Sequence, residues 1–213
     1  MPIEIIAEMS SNHGGDVRLA QEWIWRVAAA GADWVKFQMT RVAHLRRDDP
    51  QYAWFARAEL SLDALGVLRD TCTVAGVKFL ATVYQAADVP DLLSLGVTAV
   101  KIGSGEARCL DLARTVRVCP RVFVSLGLSA HGPRLLWTHT PFGKQIPQAE
   151  FLRAVSRYPA PLLTCLHAAD PYENSRIVGW SDHCVGIEVC RAAIYAGARV
   201  IEKHVQFPEQ ARP

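Results

Sequence analysis

Long apolar runs, a leader-like start and a one-sided charge are all missing from this chain of 213 residues. No apolar run reaches the roughly 20 residues that span a bilayer, and the start, Met1-Pro2-Ile3-Glu4, has no secretory pattern. The 23 basic and 21 acidic residues nearly balance and are scattered, so the stripe of cations typical of a nucleic-acid groove is absent. We therefore expect a cytoplasmic protein without membrane or nucleic-acid partners.

Paired cysteine motifs are missing as well. The six cysteines never form a Cys-x-x-Cys pair, which argues against a zinc ribbon and a thioredoxin-like site. In a reducing compartment such cysteines are mostly small buried hydrophobic residues. Half of the chain is hydrophobic, so its length suffices for one sizeable core, and we predict a single domain over residues 1–213.

Short apolar runs alternate with amphipathic stretches, a pattern typical of βα units around a parallel sheet. Eight strands in series predict an α/β fold, a TIM (β/α)8-type barrel. The predicted strands cover residues 3–7, 34–37, 79–82, 98–102, 122–124, 162–165, 178–180 and 200–203. The predicted helices cover residues 16–30, 62–75, 87–95, 110–118, 148–158 and 185–196.

Two outer helices of such a barrel have no candidate, one after strand 6 and one after strand 8. Residues 166–177 are few and rich in turn formers, and little sequence follows residue 203. Uncovered strands would leave apolar surface in water, so we expect a second copy to cover it in a homodimer or higher oligomer. Segment 129–147 is too long for an ordinary βα loop and is predicted to lie over the active-site mouth.

Polar side chains gather where the predicted strands end, which is the active-site face of a TIM barrel. Strand residues alternate between the two faces, so Lys36 and Gln38 share one face of strand 2, and Glu202 and His204 share one face of strand 8. Further polar residues at strand ends are Glu8, Asn12, His13, Thr82, Tyr84, Lys101, Ser104, Glu106, Ser125, Asp182 and His183.

The motif Lys-Ile-Gly-Ser-Gly-Glu at residues 101–106 directly follows predicted strand 4. Glycines at 103 and 105 permit positive φ and close approach of backbone N–H groups to an anion, while the lysine and serine add a charge and a hydroxyl. A buried lysine needs an anionic partner. Lys36 and Lys101 are therefore expected to face either an anionic ligand or structural ion pairs with nearby glutamates.

Five stretches of the chain resemble the sialic acid synthase (NeuB-like) family. They are residues 6–15, 31–38, 101–106, 180–183 and 197–204, in the family's order. The resemblance implies a TIM barrel and a transferase of the N-acetylneuraminate synthase type, active in carbohydrate biosynthesis. Its substrates would be phosphoenolpyruvate and an aldehyde sugar, such as an N-acyl mannosamine or a variant acceptor, and its products a 2-keto-3-deoxy sugar acid and phosphate.

The resemblance also implies roles for the residues at the strand ends. Cations and hydroxyls suit the phosphate and carboxylate of phosphoenolpyruvate, and the residues matched to that role are Lys36, Gln38, Thr82, Lys101, Ser104 and Ser125. The residues matched to catalysis are Glu8, Glu106 and His183. Those matched to the acceptor side are Asn12, His13, Tyr84, Asp182, Glu202 and His204.

A divalent metal, Mn²⁺ or Mg²⁺, is implied as well, bound by His183 and a second histidine. It would polarise the sugar aldehyde for attack by C3 of phosphoenolpyruvate. The family's second histidine lies in a Leu-Leu-His-Cys strand end, where residues 162–165 read Leu-Leu-Thr-Cys, so Thr164 replaces it and His167 is the nearest substitute. The family's antifreeze-like C-terminal domain has no counterpart in this sequence, so we expect acceptor recognition to differ.

Two other functions stay open from the sequence. One is a lysine-dependent aldolase or lyase on the same barrel, because one fold hosts many chemistries. The other is a non-catalytic binding subunit, which Thr164 and the two missing helices would suit. The retained cations and hydroxyls favour the synthase.

Overall fold

Eight parallel strands form a closed barrel in a computed structural model, which describes residues 2–127, 140–168 and 176–207. Neighbouring strands follow chain order, and pairing of the first strand with the eighth closes the ring. The fold is thus the predicted TIM-type barrel. Its strands are β1 (Glu4–Ser10), β2 (Trp34–Met39), β3 (Lys78–Val83), β4 (Ala99–Ile102), β5 (Arg121–Ser125), β6 (Ala149–Ala154), β7 (Ile177–Asp182) and β8 (Val200–His204).

Helices pack on the outside of the barrel. In the described part of the chain they are α1 (Val17–Ala29), α2 (Tyr52–Ala58), α3 (Leu62–Ala75), α4 (Val89–Ser94), α5 (Leu110–Val116), α6 (Pro141–Gln145), α7 (Leu162–Ala168) and α8 (Glu188–Tyr195). Asp16 caps α1 by accepting from two backbone N–H groups, and Gly76 ends α3 in the left-handed conformation. No helix among the described residues has the length and apolarity to cross a membrane.

The sixth strand is not where the sequence predicts it. β6 lies inside the predicted helix 148–158, and the predicted strand 162–165 is the first turn of α7. Phe151 packs in the core outside the barrel and Leu152 in the barrel interior, so both faces of the strand are buried. Pairing with β5 and β7 therefore decides the conformation of a segment whose local composition favours a helix.

This shift also corrects the prediction of a bare wall after strand 6. Helix α7 follows β6 and packs against both β6 and α8. The region predicted for a helix after strand 8 lies beyond Phe207, outside the described residues. Of the predicted loop 129–147, residues 129–139 also lie outside them, and the rest contains α6.

The barrel interior is filled in layers. At its amino end Arg121 contacts Glu4 at 2.8 Å and Glu150 at 2.6 Å. Alternation along each strand then places an apolar layer above this network and a polar layer above that. The apolar layer consists of Ile6, Trp34, Leu80, Ala99, Phe123, Leu152, Val178 and Val200. The polar layer lies two residues further along most strands, toward the carboxyl ends.

Candidate active site

A cavity of about 290 Å³ opens at the carboxyl ends of the strands. All eight strands, or the residues directly after them, contribute to its lining, as expected of a TIM-barrel active site. Its lining residues include Glu8, Lys36, Gln38, Thr82, Tyr84, Lys101, Ser104, Glu106, Ser125, Ser156, Tyr158, Ser181, His183, Glu202 and His204.

Two lysines meet one carboxylate oxygen at the centre of this cavity. Oε1 of Glu202 lies 3.1 Å from Nζ of Lys36 and 3.0 Å from Nζ of Lys101, and it accepts a hydrogen bond from Ser181 at 2.8 Å. Nζ of Lys36 also lies 2.8 Å from Oε2 of Glu8. All five residues are buried. The lysines therefore converge on one point that is shielded from water.

Burial shifts the charges in this cluster. It lowers the pKa of Lys36 to about 7, where Lys101 adds to the effect and Glu202 opposes it. For Glu202, burial alone would raise the pKa, but the neighbouring Lys101 and Lys36 hold it well below its ordinary value. Glu202 is thus ionised at neutral pH, and Lys36 is poised between its charged and neutral forms.

Two buried hydroxyls point to a ligand for this site. Among the described residues, Oγ1 of Thr82 and Oγ of Ser125 have no hydrogen-bond partner, and both residues line the cavity. Leaving a buried hydroxyl unpaired costs about 1–3 kcal/mol. A bound anion would accept from both groups and remove that cost.

The turn after β4 fixes Ser104 and Glu106 at the cavity wall. Oγ of Ser104 accepts from the backbone N–H of Gly127 at 2.8 Å and keeps its own O–H for a ligand. Gly103 does not have the positive φ that the motif suggested, and a Cβ there would lie 2.7 Å from the Glu106 carboxylate. The absence of a Cβ at Gly103 lets the Glu106 carboxylate lie close to the turn. Burial raises the pKa of Glu106.

One wall of the cavity consists of Tyr158, His183 and His204. Nδ1 of His183 lies 2.6 Å from the carbonyl oxygen of Val155, which can only accept, so Nδ1 carries the proton. Nε2 of His183 then accepts from the Tyr158 hydroxyl at 2.9 Å. Burial lowers the pKa of His204 to about 4 and also that of His183, and the phenol of Tyr158, which is 67% exposed, is protonated at neutral pH. All three side chains are uncharged at neutral pH.

Four predicted site residues lie outside the cavity. Asn12 donates to the carbonyl of Val205 at 3.1 Å, and Nδ1 of His13 accepts from the N–H of Gly15 at 3.0 Å. Neither side chain lines the cavity, and the acceptor-side role of the two residues stays a prediction. These hydrogen bonds hold the loop after β1 in place, and burial lowers the pKa of His13 to about 4.

Asp182 and His167 are the other two. The Asp182 carboxylate accepts from the N–H of Cys184 at 3.1 Å and from Lys203 at 2.5 Å, on the outside of the barrel. His167 is exposed on α7, and so is Thr164. The comparison of Thr164 with a histidine at a strand end therefore no longer applies.

Ser156 and Tyr158 line the cavity but are not among the residues predicted for it. Both fall in the predicted helix 148–158, which the structure replaces with β6 and the residues after it. A signal was present, because Pro159 and Pro161 follow directly and prolines end a helix.

The structure does not bring together the two histidines predicted to bind a metal, His183 and His167; the histidine beside His183 in the cavity wall is His204, with ring centroids 5.5 Å apart. Among the described residues, no three His, Cys, Asp or Glu side chains form a group that could hold a metal ion. Both ring nitrogens of His183 are engaged, and Glu8 and Glu202 are paired with lysines. His167 does not reach the cavity lining. The predicted pair of His183 and His167 is therefore not a metal site in this fold.

Comparison with known proteins gives consistent results. A sequence model described as the NeuB family matches residues 23–212. N,N'-diacetyllegionaminic acid synthase of Legionella pneumophila is 29% identical over 232 residues, which cover 94% of this chain and 63% of that protein. Spore coat polysaccharide biosynthesis protein SpsE of Bacillus subtilis is 32% identical over 225 residues, which cover 95% and 59%. The chain thus spans about three fifths of the length of these two relatives.

A solved structure is similar as well. It is the N-acetylneuraminic acid (sialic acid) synthetase from Leptospira borgpetersenii serovar Hardjo-bovis in complex with citrate. The match has a TM-score of 0.83 and 27% sequence identity, and it covers 97% of this chain and 74% of that chain.

Proposed function

We infer the function from the premise that this chain belongs to the NeuB family. We propose that it joins phosphoenolpyruvate to an aldehyde sugar, giving a 2-keto-3-deoxy sugar acid and inorganic phosphate. Relatives named as synthases of sugar acids support this class of reaction. The acceptor would be an N-acyl mannosamine-like sugar or a variant of it.

The observation that carries the proposal is the convergence of Lys36 and Lys101 on one buried point. Phosphoenolpyruvate holds a phosphate and a carboxylate a few atoms apart, and ammonium groups and hydroxyls are the donors that such anions require. Each ammonium has three N–H donors, so both lysines can contact Glu202 and a ligand together. Thr82 and Ser125 would supply the remaining hydrogen bonds.

The proposed chemistry forms one C–C bond and breaks one C–O bond. C3 of phosphoenolpyruvate attacks the aldehyde carbon, water adds at C2, and the C2–O bond to phosphate then breaks. One proton of the water ends on the new hydroxyl and the other on phosphate. Of the cavity carboxylates in the described part of the chain, Glu106 has no salt bridge and a raised pKa, which suits a base for that water.

The test is phosphate release from phosphoenolpyruvate in the presence of aldoses and N-acyl sugars. We expect release with an acceptor and none without one. Calorimetry should detect binding of phosphoenolpyruvate to the unaltered chain and to Arg47→Ala, an exposed control, but not to Lys101→Ala. No binding and no release with any acceptor would favour the non-catalytic alternative.

A lysine-dependent aldolase is the second candidate, which the lowered pKa of Lys36 favours, because a neutral amine is a nucleophile. Its amine would form an imine with a substrate carbonyl and release water. Borohydride with the substrate present would then trap a heavier protein, and Lys36→Met would prevent the trapping. An unchanged mass would remove this candidate.

A further inference from the structure

Water addition at C2 of phosphoenolpyruvate sets a requirement that Glu106 alone does not meet. The lone pair of the water oxygen must face C2, so both of its O–H groups must point away from the substrate and toward acceptors. Glu106 can accept one of them. An ammonium group only donates, so a charged lysine of the cavity cannot accept the other. A second acceptor is therefore needed beside Glu106.

The strand register places Tyr84 next to Glu106. Thr82 of β3 pairs with Lys101 of β4, and Tyr84 and Gly103 each lie two residues further along, just past the strand ends. Neighbouring strands lie about 4.8 Å apart. The Glu106 carboxylate folds back onto Gly103, where an added Cβ would lie 2.7 Å from its Oε2. The phenol and the carboxylate thus line the cavity at one level, directly above Thr82 and Lys101.

The hydroxyl of Tyr84 can take a ligand. The side chain is half-buried and lines the cavity, and in the described part of the chain its hydroxyl makes no hydrogen bond. Burial raises the pKa of this phenol, and the negative charge of Glu106 raises it further. The phenol therefore stays protonated at neutral pH, and its oxygen keeps lone pairs that accept. It can hold a water molecule without taking a proton from it.

We propose that Tyr84 and Glu106 together hold the water that adds to C2, each accepting one of its O–H groups. The inference rests on the proposed synthase function, and it gives Tyr84 a role other than the acceptor contact that the resemblance implies. The phenol orients the water, and the carboxylate is the base.

The two protons of this water have separate fates. As a lone pair of the water oxygen forms the bond to C2, Glu106 takes the proton that it holds and passes it to the oxygen of the former aldehyde. The proton on the side of Tyr84 stays on the new C2–O–H group. It goes to phosphate when the electron pair of the other C2–O bond leaves with that group, so the ketone forms and the balance is kept.

The experiment compares Tyr84→Phe, which removes only the hydroxyl, with Tyr195→Phe at an exposed position of α8. Phosphate release should show kcat of Tyr84→Phe lowered about 100-fold, because the water is no longer oriented, with an unchanged KM for the acceptor. Calorimetry should show unchanged binding of phosphoenolpyruvate, which also shows that the variant folds. Tyr195→Phe should match the unaltered chain in all three quantities.

Two further measurements separate this role from a structural one. In Tyr84→Phe, removal of the water proton should limit the rate, so kcat should fall more in D₂O than it does for the unaltered chain. Glu106→Gln removes the base, so adding Tyr84→Phe to it should lower kcat far less than Tyr84→Phe does alone. Losses that multiply in the double variant would mean that the two residues do not act on one water.

Other results would also overturn the inference. Normal kcat in Tyr84→Phe would exclude the phenol from the water step, and a raised KM for the acceptor beside that normal kcat would assign Tyr84 to the acceptor. Both results leave the synthase function intact. No phosphate release by the unaltered chain with any acceptor would instead overturn the synthase function and, with it, this inference.

Discussion

At the scale of single residues, the charge of Lys36 should depend on its ligand. Its pKa is about 7 in the free protein, so at pH 8 the amine is mostly neutral. A bound dianion favours the ammonium form, and phosphoenolpyruvate should therefore take up about one proton at pH 8 and bind more weakly as the pH rises above 7.

Calorimetry in buffers of different ionisation enthalpy measures this uptake. Lys36→Arg, which keeps a permanent positive charge and so takes up no proton, is the matched control and should show no buffer dependence. Binding heats of the unaltered chain that do not depend on the buffer at pH 8 would contradict the lowered pKa of Lys36.

Gly179 allows β7 and β8 to approach each other closely. A Cβ at this position would lie 1.8 Å from the carbonyl oxygen of Val200, which is backbone and cannot move aside. Gly179→Ala should lower the free energy of unfolding by about 3 kcal/mol, or prevent folding.

Urea unfolding measures the change at Gly179, and Gly66→Ala is its control. Gly66 lies in α3 with its nearest neighbour 3.6 Å from an added Cβ, so alanine there should raise the free energy of unfolding by about 0.5–1 kcal/mol. Equal changes in the free energy of unfolding for the two substitutions would contradict the close approach of β7 and β8 at Gly179.

Much of the cavity could be predicted because side chains alternate along regular strands. This alternation places Lys36, Lys101 and Glu202 on the inside from sequence alone. It fails in β7, where the register with β6 shifts and both Val178 and Ser181 face inward. One extra residue turns Asp182 to the outer face, and Gly179 inside the strand is the mark that such a shift leaves in the sequence.

At the scale of elements, local composition predicts most of the barrel but not β6. Strands such as Ala99–Ile102 are short apolar runs between glycines or polar residues, and that pattern is visible without any partner. β6 carries Glu150 and Arg153. Charged residues three positions apart are typical of the polar face of a helix, so the local sequence predicts a helix here. Only contacts distant in sequence make it a strand.

Leu152 tests the placement of β6. Its side chain is fully buried in the apolar layer of the barrel, so Leu152→Ala should lower the free energy of unfolding by about 2–5 kcal/mol. Val74→Ala, a truncation at an exposed position of α3, should cost less than about 0.5 kcal/mol. Denaturant unfolding measures both, and a small cost at Leu152 would argue against its interior position.

At the scale of the whole molecule, the oligomer predicted from the sequence stays a prediction, but its expected location moves. Helix α7 covers the wall that the sequence left bare. Apolar side chains on its outer side and before α8 are exposed, among them Leu163, Leu166, Val185 and Ile187. A second copy of the chain could bury this patch.

Sedimentation at several concentrations should therefore detect an oligomer. Val185→Asp places a charge in the patch and should shift the protein toward the monomer. Val74→Asp, on α3, should not. A monomer at every concentration of the unaltered chain would contradict the prediction.

The apolar layer below the lysines gives the cavity a closed end. Eight tightly packed side chains and the Arg121 network separate it from the amino end of the barrel. A molecule seated at the lysines can then exchange with bulk water only through the mouth, past whatever occupies the space above it. Under the proposed function the deeper substrate would therefore have to bind first, and the upper molecule would have to leave before the deeper one could be replaced.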